Sequence, residues 1–236
     1  MQDSLGSLVN LLESYRGRDK VVRTLCYGSQ LVGGLVDRKA GGSSQLGKSL
    51  LLLSAQLSHC RTVLRLFDDL PMAAYSAAYG LGAGEEDGVV RWISVLTNVA
   101  DQLYYPCEHV AWAADSQMLG VPAEKWWTLS TLLWAASLLL GVLRSARVLL
   151  LLGRKLRRCA GRSDCSEERG RLRRQMTGEM LAIAGGLADL SNAVHWMPAG
   201  VLWAGRFPVW LVGLMGTVSS LIGLSQAGFA LDKGVW

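Results

Sequence analysis

The chain is 236 residues long, half of them hydrophobic and 18% charged, with a formal net charge of +5. That length bounds it to one or two domains, and the scarcity of long uncharged runs excludes a densely polytopic transporter. The basic balance is no sign of nucleic-acid binding, because no zinc spacing, RNP-type motif or basic-region heptad accompanies it.

The first helix is predicted from about Ser4 to Leu35, capped by Asp3 or Ser4. Leu5, Leu8, Leu12 and Tyr15 share a face, which Val22, Leu25, Ser29 and Val32 continue. Gly17 reads as a break, Gly33 and Gly34 as a softened end, and Ala40 to Ser44 as a loop.

The second helix, Gln45 to Phe67, has the cleanest pattern. Leu46, Leu50, Leu53, Leu57, Cys60, Leu64 and Phe67 recur at alternating spacings of four and three, on one face with Leu52, Val63 and Leu66. The opposite face holds Gly47, Lys48, Ser54, Ser58, Arg61, Thr62 and Arg65. Such a helix is either the core of a soluble bundle or a membrane-interface element. An interfacial helix buries its apolar side ~5–10 Å into one leaflet and favours curvature. The wide leucine face, the basic spots and the membrane-spanning run downstream favour the second reading.

Asp68, Asp69 and Pro71 end that helix, and glycines 80, 82 and 84 make a loop. The acidic run Glu85, Glu86, Asp87 starts the third helix, where negative charge suits the dipole. Its apolar seam is Val89, Trp92, Leu96, Val99, Leu103 and Val110, with a kink expected at Pro106. Trp126 and Trp127 open the next segment as interfacial aromatics do. Residues 126–152 can cross a bilayer if Arg144 and Arg147 snorkel to the far interface. A monotopic hairpin or a helix lying in the interface is its rival. An arginine-rich linker over 154–174 and a helix over 172–195 follow.

From Phe207 to Leu231 the chain runs 25 residues without a charge. As a helix that is about 37 Å, enough to cross a hydrocarbon layer of ~30 Å. Within it Ser219, Gly223 and Ala227 repeat every four residues beside Gly216 and Ser220, and small residues at this spacing let helices approach closely, a second copy included. The organisation is therefore an amphipathic helical region over 1–122, a first span over 126–152, a basic linker and amphipathic helix over 153–206, a span over 207–231 and a tail over 232–236. The fold class is an all-α membrane protein, with amphipathic N-terminal helices followed by one or two transmembrane helices.

Charge is partitioned along the chain. Residues 1–65 carry a net +5, 66–124 a net −8 and 144–174 a net +8. Basic blocks beside a bilayer attract anionic lipid. The five cysteines match no zinc or disulfide spacing, so reduced thiols are expected. The N-terminus has no signal-peptide pattern, and the C-terminus has neither a peroxisomal nor an ER-retention tail.

Catalytic candidates are thin. Cys107, Glu108 and His109 are adjacent and point in different directions on a helix, while Asp101 and Glu108 share a face but lack partners. His59 and His195 stand far apart. No hydrolase elbow, phosphate loop or metalloprotease motif is present. No catalytic residue, metal or cofactor is expected.

Several segments together carry a resemblance: Leu11-Leu-Glu-Ser-Tyr-Arg-Gly-Arg-Asp19, Gln56-Leu-Ser-His-Cys-Arg61, Leu103-Tyr-Tyr-Pro-Cys-Glu-His-Val-Ala-Trp-Ala-Ala-Asp115, His195-Trp196 and Leu202-Trp-Ala-Gly-Arg-Phe207. With the closing span, they make the chain similar to the peroxin-11 family of peroxisomal membrane proteins, gamma type, over nearly its whole length. The resemblance implies a multi-pass peroxisomal membrane protein with both termini cytosolic. It would promote organelle elongation, proliferation and fission through amphipathic helices. Self-association, anionic lipids, and a fission machinery of a dynamin-related GTPase with its membrane adaptors are the implied partners. The membrane-active positions would be those of the second helix. Two spans with cytosolic termini would put the basic linker inside the organelle, against the positive-inside rule. The rival readings are a pore-forming or metabolite-transport protein and, behind it, a lipid-metabolising enzyme.

Overall fold

The structure is a computed structural model and describes residues 12–159 and 166–231 together with Gly6 and Val9. All regular elements among the described residues are helical. They are α1 (Tyr15–Lys39), α2 (Gln45–Leu64) with a 3-10 turn at Arg65–Phe67, α3 (Asp69–Tyr79), α4 (Gly88–Asp115), α5 (Ala123–Arg158), α6 (Ser166–His195) and α7 (Val209–Leu231). The chain forms two compact units, one of residues 1–66 and 199–236 and the other of residues 67–198.

In the first unit α1 packs against both α2 and α7. The expected start at Ser4 lies outside the described residues. The break falls at Ser14 rather than Gly17. The Ser14 hydroxyl accepts from the Gly17 N–H at 3.0 Å, capping a donor that the first turn leaves without a partner. Nor do Gly33 and Gly34 end the helix, which continues to Lys39. They are the places where its neighbours come close. A Cβ on Gly33 would stand 3.0 Å from the Gly47 carbonyl oxygen of α2, and one on Gly34 would stand 2.8 Å from the Trp210 nitrogen of α7. From α7, a Cβ on Gly213 would meet the Leu31 backbone and one on Gly216 the Tyr27 ring.

In the second unit α5 packs against α4 on one side and α6 on the other. The Trp127 indole donates to Asp115 at one end of the α4–α5 pair, and Arg147 meets Asp87 at the other, so the two helices are antiparallel. Trp134 stacks on Trp196, while Leu152 shares a small core with Leu172, so α6 is antiparallel to α5 as well. No local pattern foreshadows α3. Pro71 does not stop it, because a proline in the first turn gives up an N–H that has no acceptor there. Asp87 caps α4, accepting from Val89 and Val90 at 3.1 and 3.0 Å. The helix then runs through Pro106 to Asp115.

The stretch expected as a linker is mostly helix, since α5 reaches Arg158 and α6 begins at Ser166. The charges suit the helix ends. Lys155, Arg157 and Arg158 lie in the last turn of α5, and Glu167 and Glu168 in the first turn of α6. Cys26, Cys60, Cys107 and Cys159 are free thiols, and Cys165 lies outside the described residues.

Candidate membrane-facing surface

The buried side chains are mostly small, serines among alanines and cysteines, while many large apolar side chains stand outside. Ser54, Ser94, Ser130, Ser137, Ser145 and Ser219 are buried, and the largest fully buried side chain among the described residues is Asn192. Leucines, valines and Trp92 stand outside along α4 and α5. A water-soluble bundle does the reverse. In lipid, leucine gains nothing by meeting leucine, and helices associate through small residues and interhelical hydrogen bonds.

On α2 the polar face turns onto α1. Gly47 packs on Asp37, and the Cys26 thiol donates to the Ser54 carbonyl at 3.3 Å. Arg61 meets Asp19 with Nε to Oδ1 at 2.8 Å, its side chain only 12% exposed. The Arg65 guanidinium lies 3.4 Å from the Thr62 hydroxyl. Leu50, Leu57 and Leu64 flank this contact half-buried, while Leu46, Leu53 and Phe67 stand exposed with Lys48. The outer surface is mixed, carrying Leu52 alongside Gln56, Ser58 and His59.

On α7 the small residues divide. Gly216, Ser219 and Ser220 are buried within the unit. Gly216 lies on Tyr27, and Ser219 accepts from Arg23 at 2.9 Å. They therefore meet α1 of the same chain. Gly223 faces open space. The Ala227 side chain lies outside the described residues.

On α4 the apolar seam Val89, Trp92, Leu96, Val99 and Leu103 points outward, not into a core. Val90, Ser94, Ala100, Cys107 and Ala111 are buried instead. Arg144 and Arg147 both find partners within the unit. Arg147 Nη2 lies 2.8 Å from Asp87, and Arg144 donates to Ser94 at 3.1 Å with Glu85 and Glu179 both at 4.0 Å. The acidic and basic blocks, far apart in sequence, meet here. The Arg147 hydrogen bond and the two capped amides hold the Asp87 carboxyl below the usual carboxylate range.

The residues with potential chemistry do not converge. Tyr104 donates to Glu108 at 2.7 Å, and His109 meets Asp69 at 3.0 Å. Among the described residues no three metal-ligating side chains gather. Two helices, α5 and the Val209–Gln226 stretch of α7, are long and apolar enough to cross a membrane.

The chain matches the family model of Peroxisomal biogenesis factor 11 over residues 5–227. It is 58% identical to human "Peroxisomal membrane protein 11C", covering 96% of this chain and 95% of that protein. It is 54% identical to the mouse protein of the same name, covering 94% of each. It is 30% identical to human "Peroxisomal membrane protein 11B", covering 58% of this chain and 52% of that one. No solved structure matches it. An inverted helical exterior, two helices of spanning length and a match along almost the entire chain converge, and the chain belongs to the Peroxisomal biogenesis factor 11 family.

Proposed function

We propose that this protein resides in the peroxisomal membrane and shapes it, promoting elongation, proliferation and fission by inserting α2 into one leaflet while α5 and α7 anchor the chain. The observation that supports this most is the outer surface of α2. Leu46, Leu52, Leu53 and the following Phe67 are exposed, and Lys48, Gln56 and His59 share that surface. One flank suits acyl chains and the other suits headgroups. Burying an exposed leucine or phenylalanine is worth ~1.5–3 kcal/mol, against ~1 kcal/mol for a lysine beside anionic lipid. With several apolar side chains and one free lysine, the apolar term leads and anionic lipid adds to it.

The action is mechanical rather than enzymatic, and family membership supports this reading. The open Gly223 side of α7 is offered to a second copy. A dynamin-related GTPase and its membrane adaptors complete fission from the cytosolic side, where both termini lie.

The test uses full-length protein in cells lacking their own copy. Replacing Leu46, Leu52 and Leu53 with glutamate should abolish peroxisome elongation and leave the protein in the membrane fraction. Normal elongation by that variant would remove the mechanism.

A further inference from the structure

We propose that α4 and α6 cross the bilayer beside α5, so that the second unit enters the membrane as three helices rather than one span. The inference rests on α5 being a membrane span, as read above.

The outward faces carry it. Between Val89 and Pro106 every exposed residue of α4 is apolar, with Trp92, Leu96, Val99 and Leu103 forming the stripe. The same holds on α5 from Leu129 to Leu150, and on α6 from Met180 to Val194, where Met180 and Leu187 are the large ones. α2 gives the contrast, because its outer surface mixes leucine with lysine, glutamine and histidine.

These stripes share one level. α4 is tied to α5 along its length by Asp87 to Arg147, Ser94 to Arg144, Asp101 to Ser137 and Asp115 to Trp127. α6 is tied by Glu179 to Arg144, by Gly186 against Val142, and by Trp196 stacked at 5.8 Å on Trp134. A helix fastened along a crossing helix cannot lie in the plane of the membrane and must share its depth. The apolar stretch of α4 is about 26 Å tall and that of α6 about 21 Å at the helical rise per residue, against ~30 Å for a hydrocarbon core, so α4 covers most of it and α6 about two-thirds. Trp127 and Trp196 stand at one edge, and Arg144 and Arg147 with their carboxylates at the other, as expected at two interfaces.

Mean hydropathy hides this, because α4 carries Asp101 and Glu108 at membrane depth. Both turn inward, where Ser137 hydrogen-bonds the first and Tyr104 the second. Paired polar groups facing the bundle interior are the form in which a membrane tolerates them. Lipid meets only the other side.

Three crossings fix which loops share a face. Gly84 falls with residues 160–165, and Gly120 falls with Pro198 on the opposite face. A lone α5 span pairs Gly84 with Gly120 instead, and Pro198 with residues 160–165. Short epitopes inserted singly into the full chain at Gly84, Gly120, within 160–165 and at Pro198 read this by antibody access after selective permeabilisation of organelles. The first pairing is expected, and the second overturns the proposal. A carbene probe confined to acyl chains, applied to the unaltered protein and mapped by peptide, guards against misfolded insertions. Labelling of α4 and α6 at the level of α5 is expected. Labelling of α5 alone overturns the three-helix insertion but leaves the membrane reading standing, and labelling of no helix overturns both.

Discussion

Asp87 Oδ2 lies 2.8 Å from Arg147 Nη2, joining the cap of α4 to a charge that α5 carries far inside its length. One carboxylate thus closes a helix end and neutralises an arginine of the neighbouring helix. Its folded-state pKa is depressed. Its contribution is therefore fully present above the ordinary carboxylate range and is lost as pH falls through the depressed value. Asp87→Asn should lower the thermal midpoint of the purified protein at neutral pH. The gap from wild type should close on acidification below that range, and a gap independent of pH would contradict the pairing.

Gly34 and Gly223 make a matched pair of sites. A Cβ at Gly34 would press on the Trp210 backbone, while one at Gly223 meets nothing within 4 Å. Gly34→Ala should destabilise the first unit by about 1–3 kcal/mol, the range for overpacking, and Gly223→Ala should be close to neutral. Denaturation midpoints in detergent check both. Gly223→Leu should reduce chemical cross-linking between copies without moving the midpoint.

Arg61 and Asp19 should behave as a unit. Arg61→Ala and Asp19→Asn should each cost about 1–3 kcal/mol, as charged hydrogen bonds do, and the double variant should cost less than their sum. If Arg61 worked mainly on anionic headgroups, Arg61→Ala would weaken vesicle binding and Asp19→Asn would not reproduce it. Double-mutant stabilities and a vesicle-flotation assay separate the two.

Much of the architecture is legible in the residues, and what is not has a common cause. The charge-free run before Asp232 and the tryptophan-led segment at Trp126 stand out because length and lack of charge do not depend on what surrounds them. The seam from Val89 to Leu103 is equally visible, but periodicity gives a face and not its direction. In water the seam would be the core; with lipid as solvent it is the exterior, and the glycines and serines between carry the packing. That is why Gly33 and Gly34 read as a weak end when they are contact points. Pro71 reads as a stop for want of knowing that it falls in a first turn. The hydrogen-bond partners Ser94 and Asp87 of Arg144 and Arg147 lie fifty and sixty positions away in sequence, beyond any local pattern. The small-residue line of α7 is legible as a packing face, but not whether it meets another copy or α1.

The central claim is that the apolar exterior faces lipid. Alkaline carbonate extraction of organelles carrying the full-length chain tests it most directly, since that treatment strips peripheral proteins and leaves embedded ones. The chain is predicted to remain wholly in the membrane pellet, and its release into the supernatant would contradict the account.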